Sequence, residues 1–298
     1  MSDAAPGDGV EDRIRALDLW TGPIEIAKLP GGLTNRNYVV TAPGRKCVVR
    51  IGGDVPIHGI MRFNEHAASR AAAAAGISPP VLHAQPGVLV IGFIEGRSLT
   101  DADVRRDAAR CTALVKRVHR ELPRYLRGPL LAFDVFHILR DYAHSLAEGG
   151  SRIAPDLARL GGIAETLERE AGLFRPVYGH NDLLPANFLD DGARLWLVDW
   201  DYAGYATPLF DLGGLSSNSG FSPEQELAML EAYFEAPAEA ALLRSFRAVQ
   251  AASLLRETLW SLVQELHSTL DFDFGSYSDR NLAQFEQAWA ALQKPNRS

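Results

Sequence analysis

Two carboxylates and an amide stand close together in the run VYGHNDLLPANFLDDGARLWLVDWDYAGY, residues 177–205. His180-Asn181-Asp182 is followed five positions later by Asn187, and Asp199 comes twelve positions after that. These residue types at this spacing suit phosphoryl transfer from ATP. Asp182 would orient the attacking hydroxyl and receive its proton, while Asn187 and Asp199 would hold Mg2+ against the triphosphate. A short loop presents Asp182 and Asn187 together, and Asp199 ends the apolar strand Leu195–Val198 beside them. Any single Asp or Asn in a loop is usually a cap or turn residue. Here three required residues recur in order with a strand between them. His180 reads as a buttress of the loop rather than an acid or base.

The remaining sequence must position that loop. A short helix around Asp12–Leu19 precedes strands at Ile24–Leu29, Tyr38–Thr41 and Lys46–Ile51, the last two joined by a tight turn at Pro43-Gly44. Met61–Ala75 is Ala-rich and helical, ended by Gly76 and Pro79-Pro80. Strands at Val81–His83 and Val88–Ile94 follow. Helices are then expected at Asp103–Glu121, Asp134–Glu148, Pro155–Ala171, Pro223–Phe234 and Ala238–Leu266. The pattern predicts a β-rich lobe over residues 1–95, with 1–11 as a frayed tail, and a helical lobe over residues 96–298. Gly31, Gly32, Thr34 and Asn35 lie between two of the strands, where small residues and backbone N–H groups can approach phosphates. A hairpin turn needs glycine in any case.

Composition bounds the alternatives. The 298 residues carry a formal charge of −7, which argues against general nucleic-acid binding, because that depends on Lys and Arg neutralising phosphates. No run approaches the ~20 apolar residues of a membrane span, and the N-terminus lacks the apolar core of a secretory signal. Cys47 and Cys111 are two lone thiols without zinc-ligand spacing, which fits a reduced, cytoplasmic setting.

The order His180, Asp182, Asn187, Asp199 resembles the kinase catalytic loop and its metal-binding Asp. Asp-Trp replaces Asp-Phe-Gly, and no long activation segment separates Asp199 from Pro208–Asp211. The resemblance is therefore to the aminoglycoside phosphotransferase and choline kinase superfamily rather than to protein kinases. It implies an α+β, protein-kinase-like two-lobed fold, with a small antiparallel-sheet N-lobe and a larger, mainly helical C-lobe. Arg50 then takes the place of the strand lysine that binds ATP phosphates, with Glu65 as its helix partner; a surface ion pair of little energetic worth is the alternative reading. Lys46 is the fallback cation. Phe93 and Ile94 fall where an interlobe hinge would hold adenine through its backbone, and Asp211 matches a position that braces the catalytic loop.

A closer resemblance rests on GGLTNRNY (31–38), FIEGRSLT (93–100), HNDLLPANF (180–188) and VDWDYAGYATPLFDL (198–212). Together these are similar to bacterial choline/ethanolamine kinases, with Asp201 where glutamate is commoner. The resemblance implies a small-molecule substrate, choline or a related amino alcohol, with ATP and Mg2+. A quaternary ammonium binds aromatic faces and is helped by carboxylates. Trp200, Asp201 and Tyr202 flank the metal site in sequence. Glu257, Trp260 and Gln264 share one helix face with Gln250; they line a substrate pocket or form a solvent face with Trp260 at its edge. Other acceptors remain open: ethanolamine, thiamine, a sugar-like metabolite or an aminoglycoside. An aminoglycoside site would want several acidic residues along a wide cleft, and the C-terminal half has just Asp271–Asp273 as such a cluster. A non-catalytic nucleotide-binding pseudokinase would have no need to retain Asp182, Asn187 and Asp199 together.

Overall fold

A computed structural model describes residues 8–29 and 35–294. Helix α1 (Asp8–Arg15) leads into three antiparallel strands, β1 (Glu25–Leu29), β2 (Arg36–Ala42) and β3 (Arg45–Ile51). The helix starts four residues before the sequence suggested, so residues 8–11, expected within a frayed tail, are helical. Along β3 the two-residue period separates two faces: Cys47, Val49 and Ile51 are buried, while Val48 and Arg50 turn toward a cleft. The buried face packs against Ile14 and Leu17 of the α1 segment, forming a small core with Tyr38, Val40, Val88 and Val90.

Helix α2 (Arg62–Ala74) precedes the hairpin β4 (Val81–Gln85) and β5 (Val88–Gly92), completing a five-stranded sheet in the order β1-β2-β3-β5-β4. Ala68, Ala71 and Ala72 of α2 join the larger core of the second half instead of the sheet's own core. The α2 helix thus belongs by packing to the material that follows it.

After β5 the chain passes Gly96, where a Cβ would come 2.5 Å from the Asp190 carbonyl oxygen, so no larger residue fits that approach. Next come β6 (Arg97–Ser98), α3 (Asp101–Arg106) and α4 (Ala108–Glu121). The single helix expected over 103–121 is therefore two, and the first is started by a Thr100–Asp103 capping box. α5 (Val135–Glu148) and α6 (Leu157–Ala171) follow, then four short strands: β7 (Val177–Gly179), β8 (Phe188–Asp190), β9 (Leu195–Leu197) and β10 (Gly204–Ala206). β8 lies between β6 and β9, and β7 pairs with β10.

The chain finishes with α7 (Pro208–Ser219), α8 (Pro223–Phe234), α9 (Ala240–His267) and α10 (Phe274–Gln293). Sequence patterning missed α7 because nearly all of its residues are buried, which leaves no polar face to produce a 3.6-residue stripe. Its Thr207 N-cap and Pro208 at N1 were the available signals. α10 was missed as well; it packs along α9, the long central helix, which also contacts α5, α6 and α7. Among the described residues, no helix is long and apolar enough to cross a membrane.

Candidate active site

The loop between β7 and β8 carries Asp182. Two consecutive N–H groups, those of His180 and Asn181, donate to the Asp211 carboxylate at 2.8 and 2.7 Å, and Asp211 also pairs with His119 Nε2 at 2.8 Å. Burial would raise the Asp211 pKa, but the hydrogen bond from His119 and the nearby His180 outweigh it and hold the carboxyl below its ordinary value. Asn181 adopts φ +62, a left-handed conformation that Asn tolerates, and its Nδ2 donates to the carbonyls of Tyr202 and Gly204. His180 Nε2 donates to the Val198 carbonyl at 2.9 Å, and Nδ1 accepts from the Asp182 N–H at 3.3 Å. Burial lowers its pKa, so the ring stays neutral and ties the loop to the β9 segment.

Asn187 Nδ2 donates to the Asp182 carbonyl at 2.9 Å, which leaves Oδ1 as the amide's acceptor for another group. Asp199 adopts φ +70 just beyond β9, and the Val198 N–H donates to the Asn187 carbonyl. Asn187 and Asp199 line the same cleft, whose volume is about 370 Å³ and whose other walls include Arg50, Glu65, Phe93 and Ile94. Among the described residues no cluster of three His, Cys, Asp or Glu could hold a metal by protein donors alone. An amide oxygen and one carboxylate facing a cleft fit Mg2+, which takes few protein ligands and completes its shell with phosphates and water.

Asp182 is half-buried on the far side of this loop. Its pKa is raised to about 8, by burial first, with Asp199 and Glu257 adding and Arg256 opposing. Among the described residues, no side chain donates a hydrogen bond to its carboxylate. It lines a second, smaller pocket of about 60 Å³ with Arg256, Glu257, Tyr277, Asn281 and Gln284. Here Arg256 Nη1 donates to Glu257 at 3.1 Å, and the Tyr277 hydroxyl donates to the other Glu257 oxygen at 2.8 Å.

On the sheet side, one nitrogen of Arg50 donates to Glu65, Asp199 and Asp201 at 2.7, 2.8 and 2.9 Å. The Arg50–Glu65 pair is thus part of a buried network, not a surface pair. Burial alone would lower the Arg50 pKa, but the three carboxylates raise it, so it remains charged. Asn35 lies beside this network and donates to Asp201 at 2.7 Å. Gly31, Gly32 and Thr34 lie outside the described residues. Lys46, the fallback cation, goes elsewhere: its ammonium pairs with Glu95 at 2.9 Å and sits 3.7 Å over the Phe93 ring. Phe93 N–H donates to the Lys46 carbonyl at 3.2 Å.

The expected substrate face assembles only in part. Glu257 reaches the Asp182 pocket. Trp200 faces the larger cleft instead, with its indole donating to Ser78 and its ring 4.7 Å from His180. Asp201 is buried between Arg50, Arg62 and Asn35, where two guanidinia claim its carboxylate. The Tyr202 ring is covered by the Arg256 guanidinium at 4.4 Å and edged by Phe133. Trp260 packs on His58 at 5.6 Å and on Phe274, and Gln264 is buried beside His58. The α9 helix is nearly surrounded, so the face shared by these residues meets several neighbours rather than one pocket. Trp200, Tyr202 and Trp260 do not form one aromatic cage.

Sequence reasoning missed Arg62, Arg256, Tyr277 and Asn281. A charged residue inside the Leu-rich α9 was a signal for Arg256, and the helical spacing of Arg62 from Glu65 was one for Arg62.

Asn187 and Asp199 thus share one cleft, and the half-buried Asp182 carboxylate lines the small pocket next to it. The chain belongs to the phosphotransferase enzyme family, which it matches over residues 25–249. It is 31% identical to a choline/ethanolamine kinase family protein of Mesorhizobium loti, with a TM-score of 0.73 covering 95% of this chain and 98% of that one. It is 26% identical to ethanolamine kinase 2 of Mus musculus over 289 residues, 86% of this chain and 74% of that protein. Protein LicA of Haemophilus influenzae is 29% identical over 215 residues, 68% of this chain, and the match spans 61% of LicA's length.

Proposed function

We propose that the chain is an ATP- and Mg2+-dependent kinase that phosphorylates the hydroxyl of a small amino alcohol, choline or ethanolamine. The observation that carries this reading is the placement of Asp182 at a small polar pocket, with Asn187 and Asp199 of the same motif opening on the large cleft. Nucleotide fits the cleft, with Arg50 toward its phosphates and the Phe93–Ile94 backbone toward adenine. Residues up to about 95 then serve as the nucleotide-binding lobe, and 96–298 as the catalytic and acceptor lobe. An acceptor in the small pocket presents its hydroxyl to Asp182. Mg2+ held by Asn187 and Asp199 would offset charge on the phosphate oxygens. Asp182 takes the hydroxyl proton as the oxygen attacks the terminal phosphorus; the bond to the bridging oxygen breaks, ADP leaves, and a phosphomonoester remains.

Charge supports a cationic acceptor. Arg256, Glu257 and ionised Asp182 sum to one negative charge, which one ammonium neutralises. The pocket's polar lining, including Glu257, Asn281 and Gln284, favours an ammonium that carries hydrogens, and so ethanolamine. Choline would rely on Tyr277 and Phe210, the two rings that line it. A reduced cytoplasmic setting, where ATP and Mg2+ are abundant, suits this chemistry.

The test is ADP release with Mg2+ and ATP on ethanolamine, choline, thiamine and kanamycin, for the parent chain and Asp182→Asn. Turnover of an amino alcohol that Asp182→Asn loses supports the proposal. Turnover on another acceptor alone would discard the amino alcohol and keep the kinase; full activity of Asp182→Asn would overturn the mechanism.

A further inference from the structure

We infer that Arg256 gives the acceptor pocket a seat for a carboxylate, so that the amino alcohol it takes best also carries an acid: an α-amino acid with a hydroxyl on its side chain. This rests on the kinase reading above, and it keeps the hydroxyl at Asp182 and the ammonium at Glu257.

Arg256 is buried, at 5% exposure, and its guanidinium is used only in part. Nη1 donates to Glu257 at 3.1 Å, and the guanidinium covers the Tyr202 ring at 4.4 Å. Nε and Nη2 are buried without a hydrogen-bond partner among the described residues. The Tyr142 hydroxyl lies close enough to feel the charge, but it is bonded to His58 Nδ1 at 3.0 Å, and a neutral phenol does not neutralise a guanidinium. Asp182 also feels Arg256, yet no hydrogen bond joins the two. Asn281 Nδ2, in the same pocket, is likewise buried without an acceptor.

Packing alone does not call for this arginine. Other buried positions of α9 are filled by Leu255, Leu259 and Leu262, and unpaired buried donors are costly. The N–H groups on Nε and Nη2 lie side by side along one edge of the guanidinium, the fork that both oxygens of a carboxylate match. Because Arg256 and Glu257 touch, a carboxylate and an ammonium borne on one carbon can meet both side chains at once. The side-chain hydroxyl of that amino acid then faces Asp182. It gives its proton to Asp182, its oxygen bonds the terminal phosphorus of ATP, and the bond to the bridging oxygen breaks, leaving ADP and an O-phosphoamino acid. Ethanolamine makes the hydroxyl and ammonium contacts and leaves the guanidinium edge empty. Three contacts around one tetrahedral carbon also make the pocket choose between enantiomers.

The experiment is ADP release by the full-length protein with Mg·ATP, comparing ethanolamine and choline with both enantiomers of serine and of homoserine. One enantiomer of serine or homoserine should exceed ethanolamine in kcat/KM by about tenfold or more, and its mirror image by a similar factor. Arg256→Gln should lower kcat/KM for that amino acid by about 100-fold, the scale of a lost charged fork, and should lower the ratio of amino acid to ethanolamine by at least about tenfold. An equal loss on both acceptors would mark Arg256 as a structural brace and overturn the inference. If Arg256→Gln does not fold, the parent decides: equal turnover of the two enantiomers, or ethanolamine or choline preferred over both amino acids, overturns it. A parent that binds Mg·ATP and phosphorylates other acceptors but neither amino acid overturns this inference and leaves the kinase reading standing. A parent that binds no Mg·ATP overturns the kinase reading and this inference with it.

Discussion

Asp182→Asn should make the protein more stable while removing its activity, and the stability gain should grow with pH. The Asp182 carboxyl has its pKa raised from 3.8 to about 8, chiefly by burial. Each pKa unit corresponds to about 1.36 kcal/mol, so a rise of about four units sets a ceiling of ~5–6 kcal/mol on the cost of ionising this group in the folded state. Asp182 keeps part of its surface open to the pocket, where water screens the charge, so the gain should lie between about 2 kcal/mol and that ceiling. Below about pH 4 the carboxyl is protonated in both folded and unfolded chains, and the parent and the Asn variant should differ little. Between about pH 4 and 8 the unfolded chain ionises while the folded site holds its proton, so the parent loses stability relative to the variant. Above about pH 8 the difference levels off. Thermal unfolding at several pH values checks this, and 2 kcal/mol corresponds to roughly 4 °C in a chain of this size. Turnover should fall by about 10²–10⁴-fold, the range for loss of a positioned general base. A variant as stable as the parent, or less so, at pH 8 would show that burial does not strain Asp182 and would refute the reasoning.

The acceptor kcat/KM should rise with pH through a midpoint near pH 8 to a plateau above about pH 9, and Arg256→Met should push that limb higher, because Arg256 opposes the rise in the Asp182 pKa; a pH–rate profile decides. Asp199→Ala should lower Mg2+-dependent turnover by about 10³-fold. Because Arg50 keeps Glu65 and Asp201, the melting point should move by less than about 2 °C, about 1 kcal/mol. Asp211→Ala leaves two buried N–H groups of the catalytic loop without their acceptor. Each such loss costs about 1–3 kcal/mol, so a drop of about 2–6 kcal/mol in unfolding free energy is expected, measured in urea.

Residue pattern alone located the Asp182, Asn187 and Asp199 motif, the five strands of the first half and most of the long helices. Asp182, Asn187 and Asp199 were legible because a loop and the strand after it are local: spacing along the chain fixes which groups can face one cleft. The cleft face of β3 was legible for the same reason, since period-two alternation sets Arg50 opposite Cys47 and Val49. α7 was not, because a helix buried on every side loses the polar stripe that periodicity detects.

Which partners meet across the fold is set by long-range packing. Asn35 bonds a residue 166 positions away and Arg62 one 139 away, separations that no local pattern encodes. The same holds for the aromatic residues. Sequence placed Trp200 and Tyr202 two positions apart near the metal motif, but one faces the cleft and the other lies under Arg256. Trp260 turns to His58 because α9 is packed on several sides, so sharing a helix face did not mean sharing a pocket. Local geometry brings Asp182, Asn187 and Asp199 close together; long-range packing decides which side chains ion-pair around them and line the small pocket.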